Sequence, residues 1–266
     1  MQDYADLARQ CRTRNQFNRL HIDLERLLTP EEIFALGRLA LATALPKPTQ
    51  AWLKDLRGLS PEMFVAPTLF SRLEISETVS LYRDGTLSRS EKSLLVAFTG
   101  NYRRLMMPIA VFLQSLDSRS WDVILLRQDG ERPYFPAAGP DPADLMSAML
   151  SAGPDFRRSD YRRLVTIGTS GGGFPAIVAA VAIGASRGIS VSGRMPRERP
   201  LLSAEAPRDL VFVYGESHPV DRDQALSMQS LFTGRLRPVP GVAEHNVLYS
   251  LLRQGELAPF LVEVLG

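Results

Sequence analysis

The residues best suited to nucleophilic chemistry gather in the second half of the chain. The clearest is a serine in the stretch Thr166-Ile-Gly-Thr-Ser-Gly-Gly-Gly-Phe-Pro-Ala176. An apolar, β-branched run (Leu164, Val165, Ile167) precedes it and an alanine-rich run follows. Gly168-Thr169-Ser170-Gly171-Gly172 therefore fits G-x-S-x-G between a buried strand and a helix, the context that gives the pattern its meaning. In so sharp a turn, side chains two before and two after the serine would strike neighbouring backbone, so glycine stands at both. The serine is expected in a strained conformation with its hydroxyl above the sheet. The backbone N–H of Gly171, at a helix N-terminus, is then a candidate donor to a developing oxyanion. Pro175 suits the first helical turn, where its missing N–H costs nothing.

A serine hydroxyl needs a base, and the base needs an orienting group. Of three histidines, His21 lies in a helical segment away from any strand end, and His218 and His245 lie in later loops. His245 follows the last predicted strand, in Val239-Pro-Gly-Val-Ala-Glu-His-Asn246. In a parallel sheet a loop after a strand opens on the same edge as the serine turn, so His245 is the candidate base. The orienting acid is expected after the strand Leu210–Tyr214, where Glu216, Asp221 and Asp223 are available. Asp221 is favoured, between Pro219-Val220 and a helix predicted from Asp223. Glu216 sits close against the strand end, and Asp223 has a sufficient role at a helix N-terminus. Both remain alternatives.

Other uses of the glycines fit less well. Gly171-Gly-Gly-Phe-Pro-Ala176 formally satisfies the dinucleotide fingerprint, but the next strand ends in Val191-Ser192-Gly193-Arg194 rather than in an acid. A Walker loop would need Gly-Lys-Ser/Thr, which is absent. An ordinary glycine-rich turn is the bland alternative.

The elements that must hold these residues alternate along the chain. Short apolar runs at Leu94–Thr99, Asp122–Leu126, Leu164–Ile167, Ile189–Ser192 and Leu210–Tyr214 read as strands buried on both faces, and Arg235–Val239 is a weaker strand signal after them. Helical segments fall between most of them, at Met106–Leu116, Pro142–Ser151, Phe174–Ala185 and Asp223–Phe232, and a terminal helix starts near Val247. Such alternation predicts an α/β fold, a mainly parallel sheet with helices on both faces. Leu73–Ser76 and Val79–Tyr82 alternate as a half-buried antiparallel pair at one edge. Residues 1–65 read as an N-terminal helical extension and 66–266 as the α/β domain. Within the extension, Thr29-Pro30-Glu31-Glu32 has the cap, proline and acids of a helix start.

Composition narrows the classes. A net charge of +2 over 266 residues gives no reason to expect nucleic acid. Arginines cluster locally (Arg103-Arg104, Arg157-Arg158, Arg162-Arg163, Arg194/Arg197/Arg199), which reads as solvated surface or as a contact for an anionic ligand or partner. A single cysteine, Cys11, excludes an internal disulfide, and the histidines lack metal-ligand spacing. No metal and no cofactor are expected. The first residues lack a signal-peptide core and no run approaches a transmembrane length, so a cytoplasmic protein without a transmembrane segment is expected. Oligomeric state is not legible.

From about residue 90 onward the chain resembles the α/β-hydrolase superfamily. The resemblance rests on FTGN (98–101), GTSGG (168–172), YGESHPVDRDQA (214–225) and VPGVAEHN (239–246), and on the order nucleophile, acid, histidine. It implies a second oxyanion donor, the backbone N–H of Asn101 or Tyr102, where Thr99-Gly100 replaces the family's usual His-Gly. The family's acid commonly falls three residues after the strand-end glycine. Here that position is His218, so Asp221 has to reach from later in the loop. Many members carry a lid between the sixth and seventh strands. The segment Arg194–Pro207 is too short for one, leaving the site open or covered by the N-terminal helices and the Arg127–Pro140 loop. The implied activity is that of a serine hydrolase on esters or thioesters, or of an acyltransferase, with a small-molecule or acylated substrate. Ser170 would be the nucleophile, His245 the base and Asp221 the orienting acid, with Gly171 and Asn101 as donors. The alternative, favoured by His218, is a hydrolase-like scaffold that binds a ligand or partner without catalysis.

Overall fold

The computed structural model describes residues 2–42, 45–128, 133–136, 140–151, 158–198 and 209–266. Four helices come first: α1 (Gln2–Gln10), α2 (Arg14–Glu25), α3 (Pro30–Ala42) and α4 (Lys47–Leu59). Thr29 opens α3 through a reciprocal cap. Its hydroxyl accepts from Glu32 N at 3.2 Å, and its own N–H donates to the Glu32 carboxylate at 2.8 Å.

Eight strands then form one sheet: β1 (Ser71–Ser76), β2 (Val79–Arg83), β3 (Ser93–Phe98), β4 (Trp121–Leu126), β5 (Arg163–Thr169), β6 (Arg187–Val191), β7 (Leu210–Gly215) and β8 (Arg235–Val239). Their spatial order is β1-β2-β4-β3-β5-β6-β7-β8. β1 and β2 pair antiparallel, as do β2 and β4, and every other pairing is parallel. The fold is thus the predicted α/β class, preceded by the predicted helices.

The connecting helices are α5 (Ile109–Gln114), α6 (Pro142–Ser151), α7 (Gly173–Ala182), α8 (Pro219–Leu231), α9 (Val247–Gln254) and α10 (Leu257–Leu265). Strand periodicity divides the core in two. Leu95, Ala97, Val123 and Val165 point to a layer built with α1–α5, α9 and α10. Leu94, Val96, Phe98 and Ile124 point to the other, under α6, α7 and α8. Several details differ from the sequence expectation. As edge strands, β1 has no fully buried residue and β8 is buried only at Val239. β2 is buried on both faces rather than half-buried, because Tyr82 packs in the layer of the N-terminal helices, its hydroxyl donating to Leu27 O just past α2 at 2.9 Å, while Leu81 faces the opposite layer. The helix predicted from Asp223 begins four residues earlier, at Pro219.

The topology fixes where a site can form. From β3 the chain steps to β4 on one side, whereas β5 leads to β6 on the other. Connections running opposite ways leave a crevice at the carboxyl ends of β3 and β5. No described helix is long and apolar enough to cross a membrane.

Candidate active site

Asn101 follows β3 and Ser170 follows β5, so both lie at that crevice. Ser170 opens a short 3-10 turn (Ser170–Gly172) before α7, with a backbone φ of +51°. A left-handed serine is held at a cost of about 1–3 kcal/mol and needs surroundings that over-determine it. The glycines supply them. A Cβ on Gly168 would lie 2.6 Å from the Gly172 carbonyl carbon, and one on Gly172 would lie 2.6 Å from Thr99 O. Real Cβ atoms do not come so close to backbone, so both positions exclude side chains. Gly100 makes room from the other side, since its Cβ would lie 3.2 Å from Ser170 Cβ.

His245 stands in the loop between β8 and α9, and its Nε2 lies 2.9 Å from Ser170 Oγ. Its Nδ1 lies 2.9 and 3.0 Å from the two carboxylate oxygens of Asp221. With Nδ1–H donating to the carboxylate, Nε2 is left to accept the serine proton. Asp221 is only 3% exposed. It belongs to the first turn of α8, not to a loop turning back over the sheet as the sequence suggested. The reason is His218, which stands outside the helix as its N-cap, with Pro219 starting the first turn. His218 Nδ1 accepts the Asp221 backbone N–H at 3.1 Å. The same nitrogen lies 3.4 Å from Asp221 Oδ1. That approach follows from the cap and is no ion pair, because the lone pair is already used. The cap therefore carries Asp221 to His245. Asp223 and Glu216 are both exposed, and no described hydrogen bond joins either side chain to His245.

Asn101 and Gly171 are neighbours across the crevice. A Cβ on Gly171 would lie 3.7 Å from Asn101 N. Asn101 N–H has no backbone partner among the described residues, and Gly171 N–H lies at the start of a helical turn, where the first donors lack intrahelical acceptors. The loop that carries Asn101 closes on itself through Gly100 N to Arg104 O at 3.0 Å and Arg103 N to Gly100 O at 2.8 Å.

A cleft of about 610 Å³ opens over Ser170, bounded by Asn101, Tyr102 and His245 and also by Ile22 of α2 and Arg26, which caps that helix. Arg26 Nε donates to Tyr102 O at 3.1 Å, and Arg104 pairs with Glu25 at 2.7 Å. The end of α2 is thus fastened to the Asn101 loop. Sequence reading gave no signal for these contacts, because they join residues far apart in the chain. Tyr134 fastens the other flank, its hydroxyl 2.9 Å from Leu126 O and 3.1 Å from Thr99 O. Burial pushes that phenol well above its ordinary pKa, so it stays a donor. The remainder of the Arg127–Pro140 loop at 129–132 and 137–139, the 199–208 part of the basic Arg194–Pro207 segment, and Arg157 and Arg199 lie outside the described residues. His21 is buried in α2, stacked on Trp52 with ring centroids 4.5 Å apart, away from the serine. Among the described residues no cluster of His, Cys, Asp and Glu could hold a metal ion.

No protein-family model matches the chain, and no curated protein matches it. Among solved structures it is similar to a dienelactone hydrolase from Anabaena variabilis, at 14% identity and a TM-score of 0.44 over 74% of this chain and 97% of that one. It is also similar to an α/β serine hydrolase without lid from Xanthomonas campestris, at 15% and 0.44 over 71% and 94%. An S-formylglutathione hydrolase from Staphylococcus aureus aligns at 11% and 0.47 over 73% and 98%. Likeness at this level carries no conclusion about chemistry, so function is read from the geometry of the site.

Proposed function

We propose that this chain is a serine hydrolase of the α/β-hydrolase kind, with residues 66–266 as the catalytic domain and 1–65 as an extension that bounds its cleft. It acts on a carboxylic ester or thioester, or passes the acyl group to an alcohol instead of water. One observation carries the reading: a continuous hydrogen-bonded chain, Ser170 Oγ to His245 Nε2 at 2.9 Å and His245 Nδ1 to Asp221 at 2.9 Å, ending on a serine with φ of +51°.

In this reading Ser170 Oγ attacks the acyl carbon while His245 Nε2 takes its proton. Asp221 keeps the imidazole in the tautomer that can accept, and stabilises the imidazolium that results. The carbonyl oxygen becomes an oxyanion, and the N–H groups of Gly171 and Asn101 are aimed at it. One such donor is commonly worth 10²–10³ in rate. When the tetrahedral adduct collapses, the bond to the leaving oxygen or sulfur breaks and His245 returns its proton there. A water or alcohol, deprotonated by His245, then releases the acyl group and regenerates Ser170. Nothing in these steps calls for a cofactor.

The test is turnover of a graded series of acyl esters by wild type and Ser170→Ala. The reading expects kcat to fall on the order of 10⁶-fold in the variant. Equal turnover by both proteins would leave a scaffold that binds without catalysis.

A further inference from the structure

Two cavities share Asn101 and Arg194 as walls, the larger holding Ser170 and the smaller its neighbour Gly171, and they differ in charge. The larger, the cleft of about 610 Å³, is bordered by His245 and by three arginines, Arg26, Arg104 and Arg194, with no carboxylate in its described lining. The smaller, about 220 Å³, lies past Asn101 and Gly171 and is walled by Tyr134, Phe135, Phe174 and Met195. His245 borders the first and not the second.

The arginines are not equally committed. Arg104 is paired with Glu25 at 2.7 Å and Arg26 with Asp23 at 2.8 Å. Arg194 is exposed, and no ion pair joins its guanidinium to a described acid. It is held in place by its backbone, whose N–H donates to Ser170 O at 3.0 Å. A cation whose backbone is tied to the serine, which borders both cavities and has no acidic partner among the described residues, can receive a charge from a bound molecule.

We infer that the substrate joins a short apolar acyl group to an alcohol or thiol bearing a carboxylate or phosphate, and that Arg194 selects for that anion. This rests on the serine-hydrolase reading. The orientation follows from proton traffic. The leaving oxygen or sulfur must receive its proton from His245 Nε2, so the leaving group lies on the His245 side, in the arginine-lined cleft. The acyl group then passes Gly171 and Asn101 into the aromatic cavity. At about 30 Å³ per water-sized group, that cavity takes only about seven such groups. The planar guanidinium matches carboxylate and phosphate oxygens equally, which is why the anion is assigned as a class.

The experiment compares three acetyl esters: methyl 3-acetoxybenzoate, 3-acetoxybenzoate and 3-acetoxyphenyl phosphate. Each kcat/KM is divided by the hydroxide-catalysed rate constant of the same ester, removing differences in leaving-group quality. Wild type is expected to favour an anionic ester over the neutral one roughly tenfold or more, with the advantage shrinking as salt rises. The better of the two anions identifies the group. Arg194→Gln should lose most of that preference while its turnover of the neutral ester changes less than twofold. Ser170 labelling by a fluorophosphonate is followed in parallel. Turnover of the neutral ester without preference for either anion overturns the inference alone. So does an equal fall for all three esters in Arg194→Gln, and so does labelling of Ser170 with no ester turned over. Absence of both labelling and turnover overturns the hydrolase reading, and this inference with it.

Discussion

The sheet buries an aspartate at each end, and the two are used differently. At the amino ends of the parallel strands, Asp122 of β4 is 2% exposed and meets Lys92 Nζ and the Tyr161 hydroxyl, each at 2.9 Å. Lys92 also donates to Asp84 O. Burial first, then the Asp122 charge, pushes the Tyr161 phenol upward, so it remains a donor. At the carboxyl ends, Asp221 is 3% exposed and holds His245, whose second ring nitrogen faces Ser170. One carboxylate ends in a closed set of bonds and the other passes its influence to a hydroxyl. Backbone strain follows the same division. The non-glycine residues described with positive φ are Arg103, Met106, Ser170 and Ser192, all just beyond the carboxyl ends of β3, β5 and β6. A buried charge alone does not mark a site. The proposed site adds to its buried carboxylate an unfinished chain of bonds beside strained backbone.

The largest effect that could break this contrast is on rate. Asp221→Asn should lower kcat on the order of 10⁴-fold by holding the wrong imidazole tautomer, while thermal unfolding stays close to wild type. Steady-state ester hydrolysis with a melting curve checks both. Asp223→Asn and Glu216→Gln should leave kcat within a few-fold. If either collapsed it instead, the carboxylate assignment would move.

The next effect is on stability and belongs to the other end. Asp122→Ala leaves Lys92 buried without its counter-charge, which costs about 3–5 kcal/mol. For a chain of this size that lowers the melting temperature by roughly 10 °C. Turnover per folded molecule, measured well below the melting point, should stay near wild type. A large loss of kcat there would erase the division between the two ends.

A smaller effect sharpens the same point with histidines. Burial lowers the His21 pKa from 6.5 to about 4. The unfolded chain therefore binds a proton at His21 in a pH range where the folded chain does not. Its contribution is fully present above about pH 6.5 and is lost as pH falls through about 4. Replacing it by a residue that cannot titrate, His21→Phe, should flatten acid destabilisation across that window, by about 2–3 kcal/mol between its ends. Urea unfolding at a series of pH values measures the slope. Ester turnover at neutral pH should be little changed, since His21 lies away from Ser170.

How much of this was legible follows from which signals are local. The strands buried on both faces left apolar runs in the sequence, because their side chains have no water to face, and the edge strands β1 and β8 left weaker signals because much of their surface stays exposed. The glycines around Ser170 were legible for a similar reason, as the close backbone approach leaves no other choice. α8 starts four residues before its predicted start, because histidine is not among the usual N-cap residues and so His218, with Pro219 next and Asp221 in the first turn, carries little local signal. Reading that cap would have placed the acid on a helix instead of in a loop. The α2 contacts with the Asn101 loop had no such signature. Arg26 and Tyr102 are 76 positions apart, and only the docking of the helix brings them together.

The central claim is that Ser170 is a nucleophile activated through His245. A fluorophosphonate applied to the folded protein, followed by peptide mass spectrometry, tests it most directly. The account predicts a single phosphonyl adduct on the peptide containing Gly168–Pro175, lost in Ser170→Ala and slowed by several orders of magnitude in His245→Ala. An unlabelled Ser170, under conditions that fully label a control esterase, would contradict it.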